Sequence, residues 1–242
     1  MTKNSRTIAK LLAAVALILL LISCTRFSGN GYSSAWEKYP DSRWAGPDLW
    51  ANRLADWEIS AGRLVCTANQ PLRTIHLMTR RVGPGEGDLM TLVSIRREAG
   101  QSSHPGDAAG ILLGAGSSLD YRSASLVFHS WGEGAGLFIG IDGDGKVFIR
   151  DLSKENDFPA YAERGMKDWK EVIFRITVER GADGMSDISA MAVDPVTRRI
   201  FSEIRNVLLD PERLTGNTAL VAHSVRPGKP GRTFSFAHWQ LR

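Results

Sequence analysis

The sequence of 242 residues contains only two cysteines, Cys24 and Cys66. Its five histidines, His76, His104, His129, His223 and His238, form no H-x-H, H-x-x-x-H or G-D-x-H pair. Two-metal hydrolases need several Asp, His and Asn ligands that hold ions about 4 Å apart, so that chemistry has no recognisable donor set here. No E-x-D-x-x-E stretch occurs, the strand pattern that would put an acid and a nucleophile on one face. No G-x-S-x-G elbow occurs either, although a Ser/His/Asp triad assembled from distant segments stays open. Internal repeats and a second domain are also missing, and there is very little helical periodicity.

The N-terminus is more informative. Residues 1–10 carry Lys3, Arg6 and Lys10 and no acid, and residues 11–22 read LLAAVALILLLI. This apolar run suits a secretory signal and is too short for an ordinary membrane span. It ends in Leu21-Ile22-Ser23-Cys24, which resembles the bacterial lipobox. The resemblance implies that residues 1–23 are a signal peptide and that Cys24 is lipid-modified and becomes the first residue. The membrane is then a partner through the lipid anchor, because several acyl chains hold a protein on a bilayer durably. Thr25 and Arg26 follow, with no Asp beside the cysteine, a pattern that resembles sorting to the outer membrane. The expected location is the cell envelope. An uncleaved N-terminal anchor is the alternative.

Removing the signal also removes a false lead. The chain has 30 basic and 26 acidic residues and a net charge of +4, but the signal holds three of the bases and no acid, leaving 27 against 26. A near-neutral remainder gives no reason to expect nucleic acid as a partner. With Cys24 acylated, Cys66 has no disulfide partner within the chain. It sits in the strand-like run GRLVCTA and reads as a buried core residue rather than a reactive thiol. Residues 24–35 are polar and rich in glycine and serine after the cysteine, as in a tether. Residues 36–242 are expected to form a single domain.

From Trp57 onward the chain alternates between apolar and polar residues, with turns between. Residues 57–60 and 63–67 form a hairpin around Ala61-Gly62. Further strands are predicted over 74–80, 88–96, 108–114, 121–130, 137–141, 146–151, 170–180, 186–194, 198–204, 218–224 and 233–241. The clearest hairpin turns at Asp142-Gly143-Asp144-Gly145. Asp210 to Leu214 reads as one helical turn with Pro211 in its first position. Strands at this spacing without intervening helices define an all-β fold, an antiparallel two-sheet β-sandwich or barrel.

Four stretches give the pattern a family likeness: Trp57-Glu58-Ile59 with Gly62-Arg63-Leu64, Ala109 to Leu113, Leu214 to Val221, and Phe234-Ser235-Phe236 with Trp239-Gln240-Leu241. Together they resemble the concanavalin A-like lectin/glucanase jelly roll. More narrowly, Trp57 to Trp239 is similar to the lectin-like leader domain of some bacterial alkaline-phosphatase-D-type phosphoesterases. It is similar, more loosely, to the domain called 3-keto-disaccharide hydrolase. The chain ends at Arg242, where the phosphatase half would begin in that family, so it reads as the leader without its enzyme. The resemblance implies a β-sandwich and a non-catalytic, carbohydrate-binding role. The alternatives are a glycan or glycoside hydrolase with an unrecognised carboxylate pair, and an interaction scaffold for an envelope protein partner such as a separate phosphoesterase. Fold alone does not choose among them.

Candidate site residues follow from chemistry. Sugar sites stack aromatic rings on C–H faces and fix hydroxyls with polar groups. Trp57, Trp169 and Trp239 lie in strand-like patterns and read as core. Trp44, Trp50 and Trp131 lie in loop-like stretches near Asp41, Arg43, Asp48 or His129, so Trp44, Trp50, His129 and Trp131 are the ligand candidates. His104 and Asp107 are expected to end a turn. No cofactor is expected. Calcium at Asp142 and Asp144 is the alternative, but twelve positions on from Asp142, where an EF-hand loop needs Glu, stands Ser153. A glycine turn accounts for the same residues. Glu133, Asp142, Asp144 and Asp151 read as a solvated hairpin rather than an acidic rim.

Overall fold

The computed structural model describes residues 31–83, 87–98, 104–116, 132–154, 157–225 and 231–242. The expected signal peptide, Cys24, the strand predicted over 121–130, His129 and Trp131 lie outside the described residues.

Alternating sequence becomes alternating burial. In β11 (Glu171–Arg180), Val172, Phe174, Ile176 and Val178 are buried while Arg175 and Glu179 are exposed. The same period governs β3 (Trp57–Ser60) and β12 (Ser186–Val193). These strands join β4 (Arg63–Cys66), β6 (Leu89–Arg97), β13 (Ile200–Leu209) and β15 (Phe234–Leu241) in one antiparallel sheet of order β13-β12-β11-β6-β15-β4-β3. A second antiparallel sheet has the order β10-β9-β8-β7-β14-β5-β2. Its strands are β2 (Leu49–Trp50), β5 (Arg73–Val82), β7 (Ala108–Ala115), β8 (Leu137–Asp142), β9 (Val147–Asp151), β10 (Asp157–Tyr161) and β14 (Gly216–His223). The fold is thus an all-β sandwich with three short 3-10 turns among the described residues.

The main core lies between the sheets. Trp57, Trp169, Trp239, Phe174 and Phe236 fill it with Ile111, Ile139, Ile149 and Leu220. Trp239 donates its indole N–H to Thr91 Oγ1 at 3.1 Å, which satisfies its one polar atom. Cys66 is buried, and burial pushes its thiol up to about 11, the behaviour of an inert core residue.

Several boundaries differ from the sequence reading. Tyr32 and Ser33, read as tether, form a short strand, β1 (Tyr32–Ser33), on Leu241 and Gln240. The Tyr32 ring meets Trp239 edge-on at 5.3 Å, and this apolar contact draws the segment onto the sheet. Strand β13 continues past Ile204 to Leu209 because Asn206 takes a positive φ of 56° and absorbs a bulge against β12. Strand β10 was not expected at all, since Pro159 interrupts it. It is tolerated because β10 is an edge strand with a register shift between Asp157 and Ala160. The turn at Pro211–Leu214 forms as expected, capped by Asp210, which accepts from Glu212 N.

A polar cluster stitches adjacent strands on the other face of the first sheet. Arg63 donates to Glu171 Oε1 (3.0 Å) and to Ser235 Oγ (2.8 Å), while Ser94 Oγ and Arg96 Nη2 donate to the same carboxylate at 2.6 and 2.9 Å. Strands β4, β15, β6 and β11 are linked at one level in this way. Burial alone would raise the Glu171 pKa, but the bonds from Ser94 and Arg96 and the charges of Arg63 and Arg96 outweigh it and hold it below the usual range. A carboxyl lowered on folding contributes its stability above the unfolded pKa of about 4.3 and loses it as pH falls through the lower folded value. The denaturation midpoint is therefore expected to fall more steeply below about pH 4.3 in wild type than in Glu171→Gln. Parallel pH profiles for the two proteins would remove this cluster from the account of acid stability.

Candidate functional site

The second sheet buries both of its faces along β7 and β8. Every residue of β7 and β8 is buried. Ala109, Ile111 and Leu113 face the main core, and the alternate residues Ala108 and Leu112 face away from it. With Phe138, Phe148, Ala219 and Val221 these outward residues form a second apolar cluster. Gly110 and Gly140 pair across β7 and β8 on this same outer face. A Cβ on Gly140 would meet Phe138 Cε2 at 2.9 Å and Phe148 Cζ at 3.0 Å, so its absence lets the two rings close over the strand.

Beside that cluster opens a cavity of about 270 Å³. Phe138, Phe148, Phe158 and Tyr161 form one aromatic side. Phe148 meets Phe138 edge-on at 5.0 Å, stacks on Tyr161 at 6.2 Å and meets Phe158 edge-on at 6.0 Å. Phe158 and Tyr161 are 40% and 48% exposed, so their rings are accessible at the mouth. The guanidinium of Arg150 lies 5.1 Å from the centre of the Phe158 ring, a cation–π contact. Pro105, Gly106, His223 and Val225 close the opposite side.

Each polar group of the cavity is held in place. The β8–β9 turn depends on Gly145 at φ +79°, where a Cβ would also strike Met166 O at 2.4 Å. Trp169 Nε1 and Arg97 Nη2 anchor the turn by donating to the carbonyls of Asp142 (2.8 Å) and Gly143 (2.9 Å). Asp142 is a buried residue. It accepts from Lys146 N at 2.8 Å through Oδ1 and from the Tyr161 hydroxyl through Oδ2. Burial raises its pKa, with those hydrogen bonds acting in the opposite direction. Burial and the Asp142 carboxylate likewise push the Tyr161 phenol up, so it stays protonated and donates inward.

His223 accepts from Leu72 N through Nδ1 at 3.2 Å. An imidazole that accepts through one nitrogen carries its proton on the other, so Nε2 is the ring's N–H. Burial, aided by the nearby Arg150 charge and opposed by Asp107, lowers the His223 pKa to about 4. The neighbouring loop is fixed by Asp107, which is buried and accepts from Ser224 Oγ and Val225 N at 3.1 Å each. His104 accepts from Gly106 N within the same turn.

The described residues among those singled out from sequence are scattered. Trp44 is 55% exposed and meets Tyr39 edge-on, away from the cavity lining. Trp50 pairs with His76 at the β2 edge, whereas the cavity is lined from β10 across to β14. Asp142 does reach the cavity, but as a hydrogen-bonded acceptor beneath Tyr161. Asp151 lies at the far end of β9, where Ser153 and Arg213 engage it. Among the described residues no group of three or more His, Cys, Asp or Glu side chains is placed to hold a metal ion. Sequence reasoning missed Phe158, Tyr161, Arg150 and His223. Arg150 within VFIRD and His223 within TALVAH were visible as polar residues ending apolar strands, whereas β10 was masked by its proline.

No protein family and no curated protein matches the sequence. Solved structures do match the fold, and they are legume-lectin-like and concanavalin A-like sandwiches. Lectin II from Ulex europaeus superposes with a TM-score of 0.55 at 12% identity, covering 87% of this chain and 97% of the lectin. The carbohydrate recognition domain of Emp46p, in a metal-free form, gives a TM-score of 0.53 at 14% identity over 87% of this chain and 95% of that one. Alginate lyase Aly36B gives 0.51 at 11% identity over 88% and 96%. At such identities the likeness establishes the sandwich fold.

The His223 geometry has a direct spectroscopic consequence. Its ring is expected to remain neutral, with the proton on Nε2, down to about pH 4. Long-range ¹H–¹⁵N correlation spectra across pH 3–8 check this, and titration near the free value of about 6.5 would contradict the Leu72–His223 bond.

Proposed function

We propose that the chain is a carbohydrate-binding domain whose ligand site is the cavity between β10 and β14, carried in the cell envelope on a lipid anchor at Cys24. The observation that carries the binding reading is the half-exposed aromatic mouth of Phe158 and Tyr161, set beside fixed polar groups. Rings of this kind stack on sugar C–H faces, and a few convergent polar atoms orient the hydroxyls. The volume of about 270 Å³ stands at the small end of ligand sites, about 300–1,000 Å³. That suits the end of a glycan better than the interior of a long chain. The lectin and carbohydrate recognition domains that share this fold support the same reading.

Binding is favoured over hydrolysis by the carboxylate inventory. Glycoside hydrolysis uses two carboxyl groups, about 5–9.5 Å apart. Asp142 is the only carboxylate among the described lining residues, and it is buried under Tyr161.

Two experiments test the proposal. On a glycan array, the detergent-solubilised full-length protein is expected to bind a defined glycan. Phe158→Ala should weaken that binding by about tenfold or more, as loss of a central aromatic contact does, while Trp44→Ala leaves it unchanged. Equal binding by wild type and Phe158→Ala would place the site elsewhere. The anchor is tested by metabolic labelling with radioactive palmitate in a bacterial host. Label should enter the wild-type protein and not Cys24→Ser, and an unlabelled wild-type protein would remove the lipid anchor.

A further inference from the structure

Two polar atoms of the cavity have opposite hydrogen-bonding roles, and both roles are fixed by bonds inside the protein. His223 accepts from Leu72 N through Nδ1, and Leu72 is not one of the described lining residues. The two nitrogens of an imidazole point nearly opposite ways, so the edge turned to the cavity carries Nε2–H, a donor. Among the described residues this N–H has no hydrogen-bond partner. Tyr161 sends its proton to Asp142 Oδ2, which leaves its phenol oxygen as an acceptor. Asp142 is buried and its other oxygen accepts from Lys146 N. Arg150 is engaged within the protein, with the Phe158 ring among its contacts.

The floor is apolar. Ala108, Phe138 and Phe148 line the cavity as buried residues. They lie on β7, β8 and β9, each of which is paired with a strand on both sides, so their backbone N–H and C=O groups point into the ladders. A sugar hydroxyl pressed against that surface would give up water and find no partner. A methyl group there would only gain burial. The cavity thus offers one donor, one acceptor and an apolar floor. A secondary amide bearing a methyl has the complementary set: a carbonyl that accepts, an N–H that donates and a methyl that packs. A carboxylate has no proton to give the Tyr161 oxygen, and the methyl of a 6-deoxy sugar brings neither polar atom.

We propose that the cavity recognises an acetamido sugar, its carbonyl accepting from His223 Nε2–H, its N–H donating to the Tyr161 oxygen, its methyl resting on Ala108, Phe138 and Phe148, and its ring against Phe158. This rests on the carbohydrate-binding reading above and narrows it to the N-acetylhexosamine class.

The test pairs each acetamido sugar with a parent sugar that carries a hydroxyl in place of the amide. Diacetylchitobiose is compared with cellobiose, and the methyl glycosides of N-acetylgalactosamine and N-acetylmannosamine with those of galactose and mannose. Methyl fucoside and methyl rhamnoside supply a methyl without an amide. All are titrated calorimetrically into the full-length protein in detergent. At least one acetamido sugar is expected to bind about tenfold or more tightly than its parent and than either deoxy sugar, the scale of a hydrogen bond lost with its partner left buried. Tyr161→Phe keeps the ring and removes the acceptor oxygen, and should shrink that ratio by about threefold or more. An unchanged ratio in the folded variant would overturn this seating of the amide. Equal binding of acetamido and parent sugars, or tighter binding of a deoxy sugar, overturns the acetamido inference and leaves the glycan site standing. If other glycans from the array bind but no acetamido sugar does, the outcome is the same. If no saccharide binds the folded wild-type protein, both readings fall. The paired wild-type titrations decide the matter even if Tyr161→Phe does not fold.

Discussion

The structure depends on the second sheet being covered on both faces. A sheet with one wet face alternates between apolar and polar residues, as β11 does. Strands β7 and β8 cannot, because every position is buried, and they read as near-continuous apolar runs. Their inward residues complete the core between the sheets, and their outward residues form a second, separate cluster. Any polar group on that outer face must find a partner inside the protein, since a buried unpaired one costs about 1–3 kcal/mol. Asp142 and His223 meet this demand through Lys146, Tyr161 and Leu72. The same bonds that satisfy them also fix the walls of the cavity.

The fold was largely legible because its signal is periodic. Hairpins such as 57–66, with Ala61 and Gly62 both at positive φ, announce themselves through alternation and turn chemistry. The strands from β3 to β9 and from β11 to β15 start and stop close to where that pattern puts them, apart from β13. Asn206 broke the alternation of β13, and only pairing with β12 shows that the strand continues. Two-residue strands such as β1 and β2 carry no period, and their existence rests on tertiary contacts like that of Tyr32 with Trp239.

The site was far less legible, for a physical reason. From the sequence, sugar-binding aromatics are expected in loops, where the tryptophans are the candidates. The cavity is instead built from side chains on strands, brought together by register across five adjacent strands, β10 to β14 in the sheet. Phe148, Arg150, Tyr161 and His223 acquire meaning only once the outer face of the sheet is known. Phe158 and Tyr161 also sit on the one long-enough strand that a proline disguised. Asp142 reads from the sequence as part of a turn, and it closes the β8–β9 turn by accepting from Gly145 N. Its second role, as the acceptor that orients Tyr161, required knowing that β10 lies beside β9.

The internal bonds of the cavity also decide what it does well. A ligand site gains affinity when its groups are already ordered, because less freedom is lost on binding. Arg150 over Phe158, His223 on Leu72 and Tyr161 on Asp142 are all ordered without a ligand. A general base, by contrast, needs an accessible lone pair. His223 has committed Nδ1 to a backbone N–H and presents a proton at Nε2. Asp142 is made more basic by burial but lies beneath the hydroxyl it orients. The bonds that order the cavity thus engage the basic atoms of His223 and Asp142 within the protein.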